Sequence, residues 1–295
     1  APDSSYGGFK ILGMVVVRFL PESVRDVTSD LFRDATVIAP KAFENYGAGE
    51  KDLILSLPNY ITKIDRRAFL NAGFTSLIVA EDSVTDYDPA AFEGCINISD
   101  ATVTTAVIPV LPKDGLKNVK IIGDGELRYG DFRGAELLEK ADISFRISKI
   151  EGGVFVNCGN LSSLSITSAP ADSVYYSAAN CIIERATRTL VLGCKDSLIP
   201  QSGIVVDISS KAFAGCIGMT ELFIPESVET VAEDSFEGCV NIGKVFLPSY
   251  AAGLIPFDSL KEVEIIAGET IEGEVFANAP ALETVGLSDK VKSIG

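Results

Sequence analysis

Apolar positions along this chain recur in a fixed order. The clearest instance is residues 219–239, M-T-E-L-F-I-P-E-S-V-E-T-V-A-E-D-S-F-E-G-C. Leu222 and Ile224 alternate with polar or aromatic neighbours, which predicts a short strand with these two side chains inward and Phe223 outward. Pro225 ends that strand, because it has no N–H to give to a ladder. Glu226-Ser227 makes a corner, and Val228 and Val231 turn inward on the next segment. The stretch Ser235-Phe236-Glu237-Gly238-Cys239 then fits one tight helical or 3-10 turn, with Phe236 and Cys239 on one face.

Other units keep the order. Leu57-Pro58 is followed by Ile61, Ile64 and Phe69, and Leu20-Pro21-Glu22-Ser23-Val24 repeats Ile224-Pro225-Glu226-Ser227-Val228 closely. In these three units the Phe (Phe32, Phe69, Phe236) falls eleven residues after the Pro. Phe69 to Phe92, Phe132 to Phe155 and Phe213 to Phe236 are each 23 residues apart. Short units at a fixed spacing specify a solenoid, in which each unit buries its apolar side against its neighbours. The recurring residues are then core: Phe69, Phe92, Phe132, Phe155, Phe213, Phe236 and Phe276, with Cys95, Cys158, Cys216 and Cys239. Cys is a small, readily buried hydrophobe, so its recurrence at one position reads as packing.

A longer offset of 144 residues is superimposed. Residues 92–151 align without a gap on residues 236–295, both beginning Phe-Glu-Gly-Cys, and about a third of the positions are identical. The unit before Phe132 is shortened in the same way as the unit before Phe276. A block of units has been duplicated within a single array spanning residues 1–295. The offset places the next core Phe at position 299, beyond Gly295. The expectation is an array cut inside a repeat, and Ala1 without a Met suggests a trimmed start.

Residues 172–200 break the pattern. Two β-prone runs flank Ala186-Thr187-Arg188, which predicts a hairpin. A turn centred there brings Cys181 and Cys194 opposite each other and makes them the candidate disulfide.

Composition narrows the chemistry. The chain has no His, which removes Ser-His-Asp and Cys-His nucleophile pairs and every His-containing zinc site. No two Cys are separated by two residues, so no zinc ribbon or redox pair is written. Asp82, Asp86 and Asp88 cluster at a bend without the loop of an EF-hand. Neither a metal nor a cofactor is expected, and the chain does not read as an enzyme. The net charge of −16 disfavours nucleic acid. No apolar run approaches the ~20 residues of a membrane helix.

At this point the units Ala91-Phe92-Glu93-Gly94-Cys95, Ala212-Phe213-Ala214-Gly215-Cys216 and residues 219–239 are seen to resemble the treponemal-type leucine-rich repeat of the BspA-like surface proteins. The stretch 181–200 also resembles a non-repeat interruption found in that family. The resemblance implies a leucine-rich-repeat solenoid: a right-handed, curved, β-rich superhelix with short helical or 3-10 turns and a repeat of about 23 residues. It implies a secreted or cell-surface recognition scaffold that binds protein, including host extracellular proteins, in adhesion. No catalytic residue belongs to the family motif. Within this frame the outward positions matter. Phe223 and Phe246 sit between inward residues and are 23 apart, with Phe19 and Ile78 at the corresponding place in their units. They are the candidate ligand-binding residues on the concave face. The absence of Trp tells against a stacking platform for glycans. The chain is expected to act as a monomer. The alternative is a structural spacer that presents another domain and has no ligand of its own.

Overall fold

The computed structural model describes residues 4–6, 9–19, 26–32, 35–83 and 86–295, with side chains described from residue 11 onward except 19–25, 33–34 and 84–85. The chain divides into two units, Ala1–Gly125 and Glu126–Gly295. Each is a β-solenoid whose regular turns carry one long and one short strand.

In unit 1 the long strands Ile54–Leu57, Ser76–Val79, Asp100–Thr104 and Asn118–Ile122 pair in parallel. The short strands Val37–Ile38, Lys63–Ile64 and Asp86–Tyr87 form a second parallel ladder. Three antiparallel strands, Ser4–Tyr6, Phe9–Leu12 and Val15–Phe19, extend that second ladder at its start. In unit 2 the long strands are Lys140–Ser144 with Ser163–Thr167, then Glu221–Phe223, Lys244–Pro248, Glu262–Ala267 and Thr284–Leu287. Asp207–Ile208 pairs with Thr230–Val231, and Thr270–Ile271 with Ser293–Ile294, in the short ladders.

The strands form because every turn presents the same alternation. Leu55, Leu57, Leu77, Val79, Val103, Val119 and Ile121 are buried on one side of the unit 1 sheet, and Leu222, Val245, Leu247, Val263 and Ile265 on one side in unit 2. Burying each such side chain contributes roughly 1.5–3 kcal/mol. Parallel register stacks like residues on like, so one turn's solution serves the next. The regular advance is 22 to 24 residues, as from Ile54 to Ser76 or Ser76 to Asp100. It falls to 18 between Asp100 and Asn118 and between Lys244 and Glu262. In both short turns a 3-10 helix follows the long strand, Thr105–Val110 and Ser249–Leu254. These two elements are related by the same 144 residues that relate the sequence blocks.

The Phe-containing corner is a run of i→i+3 turns rather than a regular helix. Ser235 N donates to Ala232 O, and Cys239 N to Phe236 O. The corners of successive turns also bond to one another, as Phe213 N to Ser235 O and Gly215 N to Glu237 O. The third corner position takes positive φ: Gly94 at 78°, Gly238 at 77°, Asn71 at 54° and Asn157 at 65°. That left-handed conformation admits Gly freely and Asn with little cost, which explains Phe-x-Gly or Phe-x-Asn at these corners. The rings stack between turns: Phe43 on Phe69 and Phe69 on Phe92 at 4.9 Å, Phe132 on Phe155 at 5.0 Å, and Phe213 on Phe236 at 5.1 Å. The thiols also do more than fill space. Cys95, Cys158 and Cys239 donate to the backbone carbonyls of Phe69, Phe132 and Phe213, the Phe of the preceding turn. Cys216 reaches Gly193 O at 3.8 Å, because no Phe corner precedes it.

Phe276, expected in the core, is half-buried and meets Phe257 edge-on at 6.2 Å instead of stacking on a neighbouring corner ring. Phe43 and Phe74, which the 23-residue spacing passes over, are fully buried.

The interruption is a three-stranded antiparallel meander, Tyr175–Ala178, Cys181–Glu184 and Thr189–Leu192, which rejoins the short ladder through Asp207–Ile208. The second hairpin is the expected one around Ala186-Thr187-Arg188. The first turns at Ala179-Asn180, both at positive φ (50° and 62°), as a two-residue hairpin requires. Cys181 and Cys194 are free thiols, which corrects the expected bridge. A register shift between Ile182 and Ile183 displaces the strands, and Cys194 lies beyond the end of Thr189–Leu192. Each thiol instead has the Ser197 hydroxyl as a hydrogen-bond neighbour.

Candidate binding face

The outward positions of the unit 2 long strands fall into two rows. Register places Glu221, Lys244, Glu262 and Thr284 side by side in one row. The adjacent row runs Phe223, Phe246, Glu264, Gly286. Phe223 and Phe246 are half-buried with ring centroids 6.1 Å apart and planes at 44°, so the two rings lean together without stacking face to face. Lys244 binds the Glu262 carboxylate at 2.7 Å and lies 4.8 Å from the centre of the Phe246 ring. The hydrogen bond to Glu262 holds the Lys244 ammonium above its ordinary value, so it stays charged. A side chain at 286 would collide with the Glu264 carboxylate, and Gly286 leaves that space to it.

At the Phe223 end the face opens into a groove of about 440 Å³. Its apolar lining is Phe223, Pro225 and Ile266. Its polar lining comes from Glu226 and Ser227 of the strand-ending corner, and from Gln201 and Ser202 of the loop that follows the meander. That loop is held by Arg188, whose guanidinium donates to Gly203 O at 3.0 Å. The interruption therefore supplies a wall of the groove. The Ser227 hydroxyl oxygen is buried without a hydrogen-bond partner.

The four residues expected to form one ladder do not all come together. Phe223 and Phe246 are neighbours in the predicted register. Ile78 is outward and 39% exposed, but its row in unit 1 is Ser56, Ile78, Thr102, Lys120, with no aromatic beside it. Phe19 belongs to a different sheet: its backbone pairs antiparallel with Phe9 at the end of the short ladder, and its side chain lies outside the described residues. The match of Leu20-Pro21-Glu22-Ser23-Val24 to a later unit, on which its assignment rested, lies outside them too. Among the described residues there is no cluster with metal-ligand geometry. No helix among them is long and apolar enough to cross a membrane.

Long and short parallel ladders, joined at a corner of stacked rings and thiols, define a leucine-rich-repeat solenoid. The chain belongs to the family of the BspA type leucine-rich repeat region, which matches it in six copies over residues 21–111, 115–188 and 194–295. Among solved structures it is similar to a leucine-rich cell surface protein of Faecalibacterium prausnitzii, at 16% identity over 97% of this chain and 94% of that one, with a TM-score of 0.42. It is also similar to a leucine-rich repeat protein of Bacteroides ovatus, at 16% identity over 100% of this chain and 70% of that one, with a TM-score of 0.44. No curated protein sequence matches the chain significantly.

Proposed function

We propose that the chain is the recognition scaffold of a secreted or cell-surface protein. It binds protein partners through the outward face of the unit 2 long strands, in adhesion to other cells or to extracellular protein. The observation that carries this reading is the Phe223–Phe246 pair, two half-exposed aromatic rings turned away from a completed core. Aromatic side chains offer large contact area at low entropic cost and dominate protein interfaces. The outward row of unit 1, in which Ser56 and Thr102 flank Ile78, has no such feature, and it favours a spacer role for that part of the chain.

Solid-phase binding to a panel of purified extracellular matrix proteins tests the reading. Wild-type chain should bind at least one, and the double variant Phe223→Ser, Phe246→Ser should bind it at least roughly ten-fold more weakly. Unchanged affinity in the double variant removes the face from consideration.

A further inference from the structure

The two rings of the binding face are not equivalent. Phe246 already carries a cation, the Lys244 ammonium at 4.8 Å from its centroid. Among the described residues no cation lies over Phe223, although Phe223 is the ring that lines the groove. The carboxylates are uneven in the same sense. Glu262 is paired with Lys244 and Glu226 with Lys290. Glu221 and Glu264 make no ion pair among the described residues. Glu221 precedes Phe223 by two residues on one strand and so shares its face. Glu264 stands beside Phe246 in register. The outward strand positions thus carry three carboxylates (Glu221, Glu262, Glu264) against one ammonium (Lys244).

We infer that this face recognises an extended peptide segment through a Lys or Arg side chain laid across Phe223, its aliphatic stem against Pro225 and Ile266 and its charged head toward Glu221. The inference rests on the proposed recognition role of the unit 2 face and names the chemistry of the partner. The ring face is electronegative and attracts a cation. A long basic side chain pairs an apolar stem with a charged tip, which is the composition of this groove. Its volume of about 440 Å³ suits one or two side chains rather than a folded domain.

Selection of random twelve-residue peptides displayed on phage against the intact chain, followed by counter-screening on Phe223→Ser, Phe246→Ser, separates the outcomes. Ladder-dependent peptides enriched in Lys and Arg support the inference. Ladder-dependent peptides without that enrichment overturn it and leave the binding face standing. Peptides indifferent to the double variant overturn both. A chain of net charge −16 attracts any polycation weakly, so a second measurement fixes the location. Fluorescence anisotropy with a labelled selected basic peptide should show roughly ten-fold weaker binding to Glu221→Gln, Glu264→Gln. The variant Glu136→Gln, Glu139→Gln removes the same charge at an exposed turn elsewhere in unit 2 and should bind as wild type. Equal losses in the two variants overturn the inference. All four substitutions are at exposed or half-buried side chains, and an unchanged melting curve confirms that folding is not what is being read.

Discussion

Residues 92–151 and 236–295 carry the same order of elements twice. Strand Asp100–Thr104 falls on Lys244–Pro248 at the offset of 144, and helix Thr105–Val110 on Ser249–Leu254. Inward, the two copies keep their character: Ala101 and Val103 become Val245 and Leu247, while Val119 and Ile121 become Val263 and Ile265. Outward, most positions differ, although Ile122 and Ile266 are the same residue. Thr102 stands where Phe246 does, Lys120 where Glu264 does, and Asp142 where Gly286 does. The inward set is bound by volume and transfer from water, which a stacked core punishes at every turn. The outward set meets only solvent or a partner. A solenoid can therefore change its outward rows at little cost to its fold.

The largest test of this comparison lies in the core, at one of the positions where the copies differ. Phe132 is fully buried and stacked on Phe155, whereas its equivalent Phe276 is half-buried against Phe257. Phe132→Ala should cost about 3–5 kcal/mol in urea unfolding. Phe276→Ala should cost less than half as much. The matched pair Phe92 and Phe236, both buried and both stacked, should lose about the same as each other. A large gap between Phe92→Ala and Phe236→Ala would show that the two copies are not mechanically equivalent.

The sequence makes the corner legible because one unit repeats Phe, Gly or Asn, and Cys at fixed places, each chosen by a separate physical demand. It also makes the outward direction of Phe223 and Phe246 legible, since strand alternation leaves no other choice. What it hides is register over irregular lengths. Phe43 is 26 residues before Phe69, and the 23-residue period passes over it, although Phe43-Glu44-Asn45 carries the corner signature with Asn45 at positive φ. Phe19 looks equivalent to Phe223 by its flanking residues, yet the start of the chain folds back on itself as antiparallel strands. The groove beside Phe223 joins a strand corner to a loop some twenty residues earlier, a meeting that only the folded meander creates.

An effect of middle size comes from the thiols. Burial raises those of Cys95, Cys181 and Cys239 to about 12, from an ordinary value of 9.0. The folded chain therefore holds protons that the unfolded chain releases near pH 9. The stability linked to them is whole below pH 9 and is lost as the pH rises toward 12. The loss is roughly 1 kcal/mol per pH unit for each thiol. Urea midpoints should be flat from pH 7 to pH 8.5 and fall above pH 9, and replacing Cys95 and Cys239 by Ala should flatten that fall. Iodoacetamide at pH 8 should leave the native thiols unmodified and alkylate them readily in urea. Rapid native alkylation at Cys95 or Cys239 would mean that one copy's corner opens where its counterpart stays closed.

The smallest effect is the most informative about the outward rows. Converting Thr102 to Phe and Lys120 to Glu writes the second copy's outward residues onto the first. Both positions lie on the solvent side of strands whose inward neighbours are unchanged, and Thr102 and Lys120 are adjacent in register as Phe246 and Glu264 are. The stability change should stay within about 0.5 kcal/mol, the range of surface substitutions that touch no core or cap. The aromatic graft should also give unit 1 a weak share of whatever unit 2 binds, short of the full affinity, because the groove walls from Gln201 and Ser202 have no counterpart there. A graft that unfolds the chain would show that the outward rows are coupled to the core after all, and that the two copies diverged under packing rather than under recognition.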